Sequence, residues 1–579
     1  MKSAFFERSE LAKTLYTFKR EFLWVGIFSM IANLLMLSPT LYMLQVFDRV
    51  LVSQSELTLV FLTLIVVLFF CMMAFAEWLR SRLLVRAGIK LDRELNTRVF
   101  NASFESYLRR AQQNPTEAFS NLTNVRQFLT GNGIIALFDA PWTPIYILIV
   151  FLLHPLLGII SIVFAGIQLA MAFYGHHMTI ASVESSSKAE GKSKAYLYSK
   201  LKNAEPVEAM GMLSNLRGRW LNLHQDNQRK LGVANDRQHK QQAITKFVRY
   251  CMQSLTLGAA AMLVIEGELS AGAMIAANVL MARSLQPLDL IVGSWRGFIQ
   301  ARTAFTALEK LMLAHPERDV TIQHPEPRGE VTLHNLSATT ANRDSPILRE
   351  LNAEFKTGQV TAIIGPSGSG KSTLARCLVG IWPDFSGMVM LDGTPIDGWD
   401  REQLGPFIGY LPQDIELFDG SIAENISRFY EIDSEKVIEA AKRAGIHDMV
   451  LRFPMGYDTP VGEAGAMLSG GQRQRLGLAR AMYGNPSLIV LDEPNANLDD
   501  VGERALVQAI QDIKAQGKTV FLITHRLNIL SVADHVLVLN DGAITHHGLR
   551  DDVIAAIKKE QTTQHSAPAS DAKTKPGQP

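Results

Sequence analysis

The run Gly365-Pro366-Ser367-Gly368-Ser369-Gly370-Lys371-Ser372-Thr373 fits the pattern GxxxxGK[ST]. Glycines in such a loop let main-chain N–H groups curl around phosphates. The lysine reaches the β- and γ-phosphates, and the Ser372 hydroxyl is placed to ligate Mg2+. Alone, the pattern says only that a nucleotide binds. Further along stand Leu468-Ser469-Gly470-Gly471-Gln472 and the apolar run Leu488-Ile489-Val490-Leu491, which closes on Asp492 and Glu493. Phosphoryl transfer to water asks a protein for positioning, charge neutralisation and an oriented nucleophile. Asp492, ending an apolar strand, is placed to hold Mg2+ or its water. Glu493 reads as the general base or water-orienting group, a role worth roughly 10²–10⁴-fold in rate. The alternative to that role is an ordinary strand-end acid, which its neighbours disfavour.

Such a loop works only where a strand feeds it and a helix leaves it, because the helix N-terminus adds its partial positive charge beneath the phosphates. Strand-like runs at Glu330–Leu336 and Gln359–Ile364, the second leading into Gly365, and helical propensity from Ser372 supply that setting. Upstream, His315–Gly329 turns to Pro, Glu and His without periodicity and marks a domain boundary.

A chain of 579 residues is too long for one core. Its formal charge of +1 gives no nucleic-acid footprint. Cys71, Cys251 and Cys377 are scattered and odd in number, so neither a disulfide framework nor a metal site follows. Cys71 and Cys251 lie in apolar runs and are expected to pack there. The first 290 residues are crowded with charge-free stretches, while the rest alternates as a globular α/β domain does.

No charge falls between Phe22 and Phe47, or between Leu57 and Ala76. Each run is long enough to cross a hydrocarbon core, which takes about 20 residues. The first is too long for a signal-peptide core and no small-residue cleavage site closes it, so it reads as an anchor. Ala140–Val183 is charge-free but too long for one helix, and His154-Pro155 in its middle reads as a hairpin turn between two spans. Tyr250–Ile265 and Leu269–Ala282 give a fifth and sixth span, or a buried hairpin of a soluble domain. Lys and Arg gather before the first span, after the second and between the fourth and fifth, which puts both termini and the phosphate-binding domain in the cytoplasm. Glu77–Gln127 and Glu184–Lys246, long and rich in helix formers, read as helices that pass the membrane and return. Their turns could carry motion between the two domains, or the segments could be solvated helical hairpins.

Together the P-loop, Leu468–Gln472 and the Asp492-Glu493 strand end resemble the ABC ATPases. The resemblance implies an α/β P-loop ATPase domain binding ATP and Mg2+, with Gly365–Thr373 around the phosphates. Gln413, in Tyr410-Leu411-Pro412-Gln413-Asp414, matches the glutamine that senses the γ-phosphate, faces the membrane domain and joins Ser372 and Asp492 at the metal. His525, in Ile523-Thr524-His525-Arg526, matches the switch histidine, where a lone histidine would otherwise be structural. Ala496-Asn497-Leu498-Asp499 matches the D-loop, with Asn497 where alanine is commoner. In such proteins Ser469, Gly470, Gly471 and Gln472 complete the site of a second copy, so one P-loop and one such motif imply a homodimer. The aromatic that stacks on adenine is replaced by Thr340, and no Tyr, Phe or Trp lies between Gly329 and Leu351.

Six spans fused ahead of one ATPase domain are similar to the exporter half-transporters. The runs Leu37–Val50, Phe138–Tyr146, Gly462–Gln472 and Asp492–Asp499 resemble the ATPases of bacterial type I secretion, in particular the exporters of proteases, lipases and haem-acquisition proteins. That resemblance implies residence in the Gram-negative inner membrane, in contact with membrane lipid. An unfolded polypeptide with a C-terminal signal would leave through a periplasmic adaptor and an outer-membrane channel. The short stretch ahead of the first span leaves no room for an N-terminal peptidase-like domain. A lipid flippase or small-molecule exporter would share the architecture, whereas the uncharged spans argue against an ABC ATPase acting on DNA or ribosomes. The expected organisation is a cytoplasmic segment 1–21, a six-span domain 22–314, a linker 315–329, an ATPase domain 330–564 and a disordered tail 565–579. Within the spans, Asn33, Gln45, Gln168, Gln253 and Asn278 face a cavity or bond helix to helix. Asp48 and Arg49 gate an exit or form an interfacial ion pair.

Overall fold

The computed structural model describes residues 9–109, 115–201, 203–317, 324–340 and 345–565. The expected tail, from 566 on, and the middle of the expected linker, 318–323, lie outside them. The chain divides into two compact units, 1–317 and 318–579.

The first unit is helical. It comprises α1 (Lys19–Leu35), α2 (Glu56–Leu108), α3 (Pro115–Thr130), α4 (Asn132–Asp139), α5 (Thr143–Leu153), α6 (Pro155–Leu201), α7 (Leu213–Ile265) and α8 (Ala271–Ala314), with short turns of helix between some of them. Among the described residues, six helical stretches are long and apolar enough to cross a membrane: 19–53, 56–108, 117–153, 155–201, 213–265 and 271–314. The expected hairpin turn is present. His154 is extended (φ −161°, ψ 132°) and Pro155 opens α6, where a missing N–H costs no hydrogen bond. The last two spans lie in helices far longer than their apolar runs. α2 and α6 pass beyond the apolar stretches and α3 and α7 return, as expected for Glu77–Gln127 and Glu184–Lys246.

The third span reaches further back than its charge-free window. It comes through α3 and α4 and a 3-10 turn at Ala140–Trp142, so Asp139 lies inside it. A buried partner explains the discrepancy: Arg80 Nη1 stands 3.0 Å from Asp139 Oδ1 and donates to Ser29 Oγ at 3.1 Å. Asn33 Nδ2 also donates to Asp139 Oδ1 at 2.8 Å, and the Tyr146 hydroxyl donates to Asn33 O at 2.8 Å. α1, α2, α4 and α5 are thereby tied by one polar network. Gln168 Nε2 donates to Asp289 Oδ1 at 2.8 Å, and Asp289 also pairs with Arg249 at 2.9 Å. Asn33 and Gln168 therefore bond helix to helix.

Two expectations fail. Among the described residues Asp48 does not pair with Arg49: its carboxylate accepts from Ser270 Oγ at 2.6 Å and Gly272 N at 2.9 Å, capping the N-terminus of α8. Cys71 does not pack inward; it is exposed, on a face of α2 crowded with exposed Leu, Val and Phe, while Cys251 is half-buried. An all-apolar helix gives no sequence clue to which face turns outward.

The second unit holds two sheets. β1 (Val331–Ala338), β2 (Leu348–Phe355), β4 (Phe385–Leu391) and β5 (Thr394–Pro395) form an antiparallel sheet in the order β2-β1-β4-β5. β3 (Val360–Ile364), β6 (Ile408–Leu411), β7 (Leu488–Asp492), β8 (Thr519–Ile523), β9 (His535–Asn540) and β10 (Ala543–Leu549) order as β10-β9-β3-β8-β7-β6. All pairs in this sheet are parallel except β9 with β10. β7 and β8 are buried at every position, as continuous apolar runs require in a sheet covered on both faces. Gly329, at the end of the expected linker, is already fixed here, its carbonyl accepting from Thr519 Oγ1 at 2.7 Å.

Candidate functional site

The P-loop links β3 to α9 (Lys371–Leu378). Gly365 has φ 155°, and a Cβ there would stand 2.0 Å from Leu539 O; Gly370 has φ 100°, and its Cβ would meet Leu348 Cδ2 at 2.7 Å. Glycine is required at both for conformation and for room. Lys371 is 7 % exposed, and its Nζ donates to Gly365 O at 2.9 Å and Pro366 O at 2.8 Å. Burial lowers its pKa, with Glu493 and Asp492 opposing that shift.

Asp492 ends β7 in register with Ile523 at the end of β8, so the carboxylate emerges at the carboxyl ends of parallel strands beside the loop. Its side chain bonds the Ser372 hydroxyl at the start of α9. Its other face is unsatisfied: Oδ1 is buried without a partner. Burial raises its carboxyl above the ordinary aspartate range, the Ser372 bond pulls it down, and Glu493 pushes it up again. A buried, partly unsatisfied carboxylate touching a hydroxyl is the donor set a divalent cation takes.

Glu493 adopts φ 50°, a left-handed conformation that costs a non-glycine residue roughly 1–3 kcal/mol. Its N–H donates to Ile523 O at 3.1 Å, and its own carbonyl accepts from Ala496 N and from Gln474 Nε2, each at 3.2 Å. The side chain so aimed lies with Oε1 3.5 Å from Nε2 of His525. Thr524, just before His525, donates to Asn495 Oδ1 at 3.2 Å, and both residues are buried. Gln413 lies two residues beyond β6, is exposed, and no hydrogen bond ties it to Asp492 or Ser372.

Ser469 and Gln472 form a reciprocal cap on α10 (Gly470–Met482). Ser469 Oγ accepts from Gln472 N at 3.3 Å, and Gln472 Oε1 accepts from Ser469 N at 2.8 Å. A Cβ on Gly471 would stand 2.8 Å from Asn497 O, so this capped end lies against the Ala496–Asp499 segment. Lys371, Ser372, Asp492, Glu493 and His525 thus come together within one protomer, and the Ser469–Gln472 end contacts Asn497. Gln474 was not singled out from the sequence. Its signal was a glutamine one turn from Leu478 on the buried face of α10, where it is 2 % exposed. Thr340 closes the segment after β1, where Trp382 is buried with its Nε1 donating to Thr339 O at 3.1 Å, leaving that indole no open face.

These two units have the fold of an ABC exporter half-transporter: a six-span helical domain and a P-loop ATPase domain. Family models described as "ABC transporter" and "ABC transporter transmembrane region" match residues 348–496 and 22–288. A type I secretion system ATP-binding protein, PrsD of Rhizobium meliloti (strain 1021), is 40 % identical over 549 residues, 94 % of each chain. The exotoxin translocation protein PaxB of Pasteurella aerogenes is 28 % identical, over 96 % of this chain and 78 % of its own. The leukotoxin translocation protein LktB of Mannheimia haemolytica is 29 % identical, over 93 % and 77 %. A bacterial Atm1-family ABC exporter solved with ATP bound superposes with a TM-score of 0.81 at 23 % identity, covering 96 % of this chain and 99 % of that one, a likeness of fold. The chain belongs to the type I secretion ABC transporters: it is a multi-pass membrane protein that binds ATP and couples its hydrolysis to export.

Proposed function

We propose that the protein exports an unfolded polypeptide carrying a C-terminal signal across the Gram-negative inner membrane, handing it to a periplasmic adaptor and an outer-membrane channel. The observation that carries this reading is the 40 % identity to a type I secretion protein along 94 % of both chains. Both termini and the ATPase unit face the cytoplasm. Two copies form a homodimer in which each ATP lies between the Gly365–Thr373 loop of one protomer and the capped Ser469–Gln472 end of the other.

In each site Lys371 and the loop amides would hold the phosphates, and Ser372, Asp492 and Gln413 would hold Mg2+. The metal neutralises charge on the phosphate oxygens when bound. Glu493, held by its strained main chain, orients and deprotonates the attacking water, and His525 beside it contacts the γ-phosphate. The unsatisfied Oδ1 of Asp492 supports the metal assignment.

The test is affinity purification of Glu493→Gln protein from crosslinked native membranes, followed by mass spectrometry. An adaptor, a channel and a secreted polypeptide are the expected companions. A dimer carrying lipid alone would replace this reading with a flippase or small-molecule exporter and leave the ATPase assignments standing.

A further inference from the structure

A cavity of about 520 Å³ opens between α3, α4, α7 and α8. Its lining includes five carboxamides, Asn124, Gln127, Asn132, Gln238 and Gln300, none of which makes a side-chain hydrogen bond among the described residues. The charged groups at its wall are already engaged: Asp289 by Gln168 and Arg249, and Arg296 by Asn235 Oδ1 at 2.8 Å. Gly293 is also on the wall, and a Cβ added there meets nothing within 4 Å.

Its depth follows from helix geometry. At 1.5 Å per residue, Gly293 lies about 33 Å along α8 from Ala271, and Gln238 about 40 Å along α7 from Ile265. A hydrocarbon core is about 30 Å thick. The cavity therefore stands at the membrane edge remote from those outer ends, the cytoplasmic edge in the topology proposed above.

The free groups are neutral, and each offers one acceptor oxygen and two N–H donors. A lipid phosphate would call for unpaired Arg or Lys, and the wall offers neither. An extended main chain presents N–H and C=O in equal number at every residue, whatever its side chains. We infer that this cavity is a subsite for the main chain of an extended polypeptide entering from the cytoplasm, paired by the five carboxamides without regard to sequence. The inference rests on the polypeptide reading under Proposed function.

The test uses the purified full-length dimer in nanodiscs and two fluorescein-labelled 20-residue probes. One is a glycine/serine peptide; the other is an N-methylglycine polymer of equal length, which has no main-chain N–H. The glycine/serine peptide is expected to bind at least 10-fold more tightly than the polymer. Gly293→Leu, whose Cβ meets nothing within 4 Å and whose branch occupies the cavity, weakens its binding at least 10-fold. Gly166→Leu, at another exposed helical position where an added Cβ meets nothing, does not. Thermal unfolding and gel filtration establish that both variants fold. Equal affinity for the two probes, wild-type binding by folded Gly293→Leu, or no binding of the peptide to the wild type overturns the subsite. If polypeptide still accompanies the Glu493→Gln dimer in that event, only the subsite is lost. If lipid alone does, the polypeptide reading falls with it.

Discussion

The carboxamide of Gln474 donates to the main-chain oxygen of Glu493 at 3.2 Å, joining α10 to the residue after β7. In the proposed dimer the capped end of α10 serves the partner's nucleotide, while Glu493 serves its own. One buried side chain therefore connects the two sites of the dimer.

Gln474→Leu keeps the volume and removes the donor. Losing one buried hydrogen bond costs about 1–3 kcal/mol. We expect kcat to fall about 10-fold with KM for ATP within 2-fold, as when a group acts on the transition state alone. Unchanged kcat in steady-state ATPase assays would remove Gln474 from the site.

Glu493→Gln is expected to bind ATP and hydrolyse it at least about 10²-fold more slowly, holding the dimer closed. Lys371→Ala should instead weaken nucleotide binding. Single-turnover assays and filter binding separate the two defects, and near-wild-type turnover by the Gln variant would end the role given to Glu493.

The raised pKa of Asp492 has a definite sign. Its contribution to stability is whole below the ordinary aspartate value of 3.8 and is lost as pH rises through the folded value, because the ionised form is the one burial penalises. At neutral pH without Mg2+, Asp492→Asn should unfold at a higher temperature than the wild type, with the gap closing below about pH 4. The same variant should lose the stabilisation that Mg2+ and ATP give the wild type. Calorimetry with and without the metal reads both effects.

Asp139→Ala leaves Arg80 buried and unpaired, and breaking such a pair costs roughly 3–5 kcal/mol. Replacing both residues by Leu and Met should recover much of that loss. Thermal unfolding in one detergent compares them, and equal melting of Asp139→Ala and the wild type would show the pair to be idle.

With Thr340 where an aromatic would stack on the base, and Trp382 buried, ATP and GTP should bind with affinities within about 10-fold of each other; stacking is worth roughly 1–3 kcal/mol where aromatics provide it. Isothermal titration decides, and a strong preference for ATP would mean that another group replaces the ring.

The ATPase site was legible because its chemistry sits in contiguous motifs, each fixed to a strand or helix end that the same residues specify. Glu493 and His525 could be named from their neighbours in sequence. Gln474 could not, because its task depends on which face of α10 meets β7. The spans were found through the cost of burying charge in hydrocarbon. The same rule misplaced the start of the third span, since it cannot see that Arg80 neutralises Asp139. Asp48 likewise read as a gate or an ion pair, because its partner, the start of α8, lies more than two hundred residues away.

The unbroken length of α2 has a consequence of its own. At 53 residues it is about 80 Å long, well over twice the hydrocarbon thickness. If α2 tilts as a stiff rod about its Glu56 end, 10° of tilt carries its far end about 14 Å. Small rearrangements at the Glu56 end and large displacements at the Leu108 end are then one movement, and spectroscopic labels near Arg109 should report it with the greatest leverage.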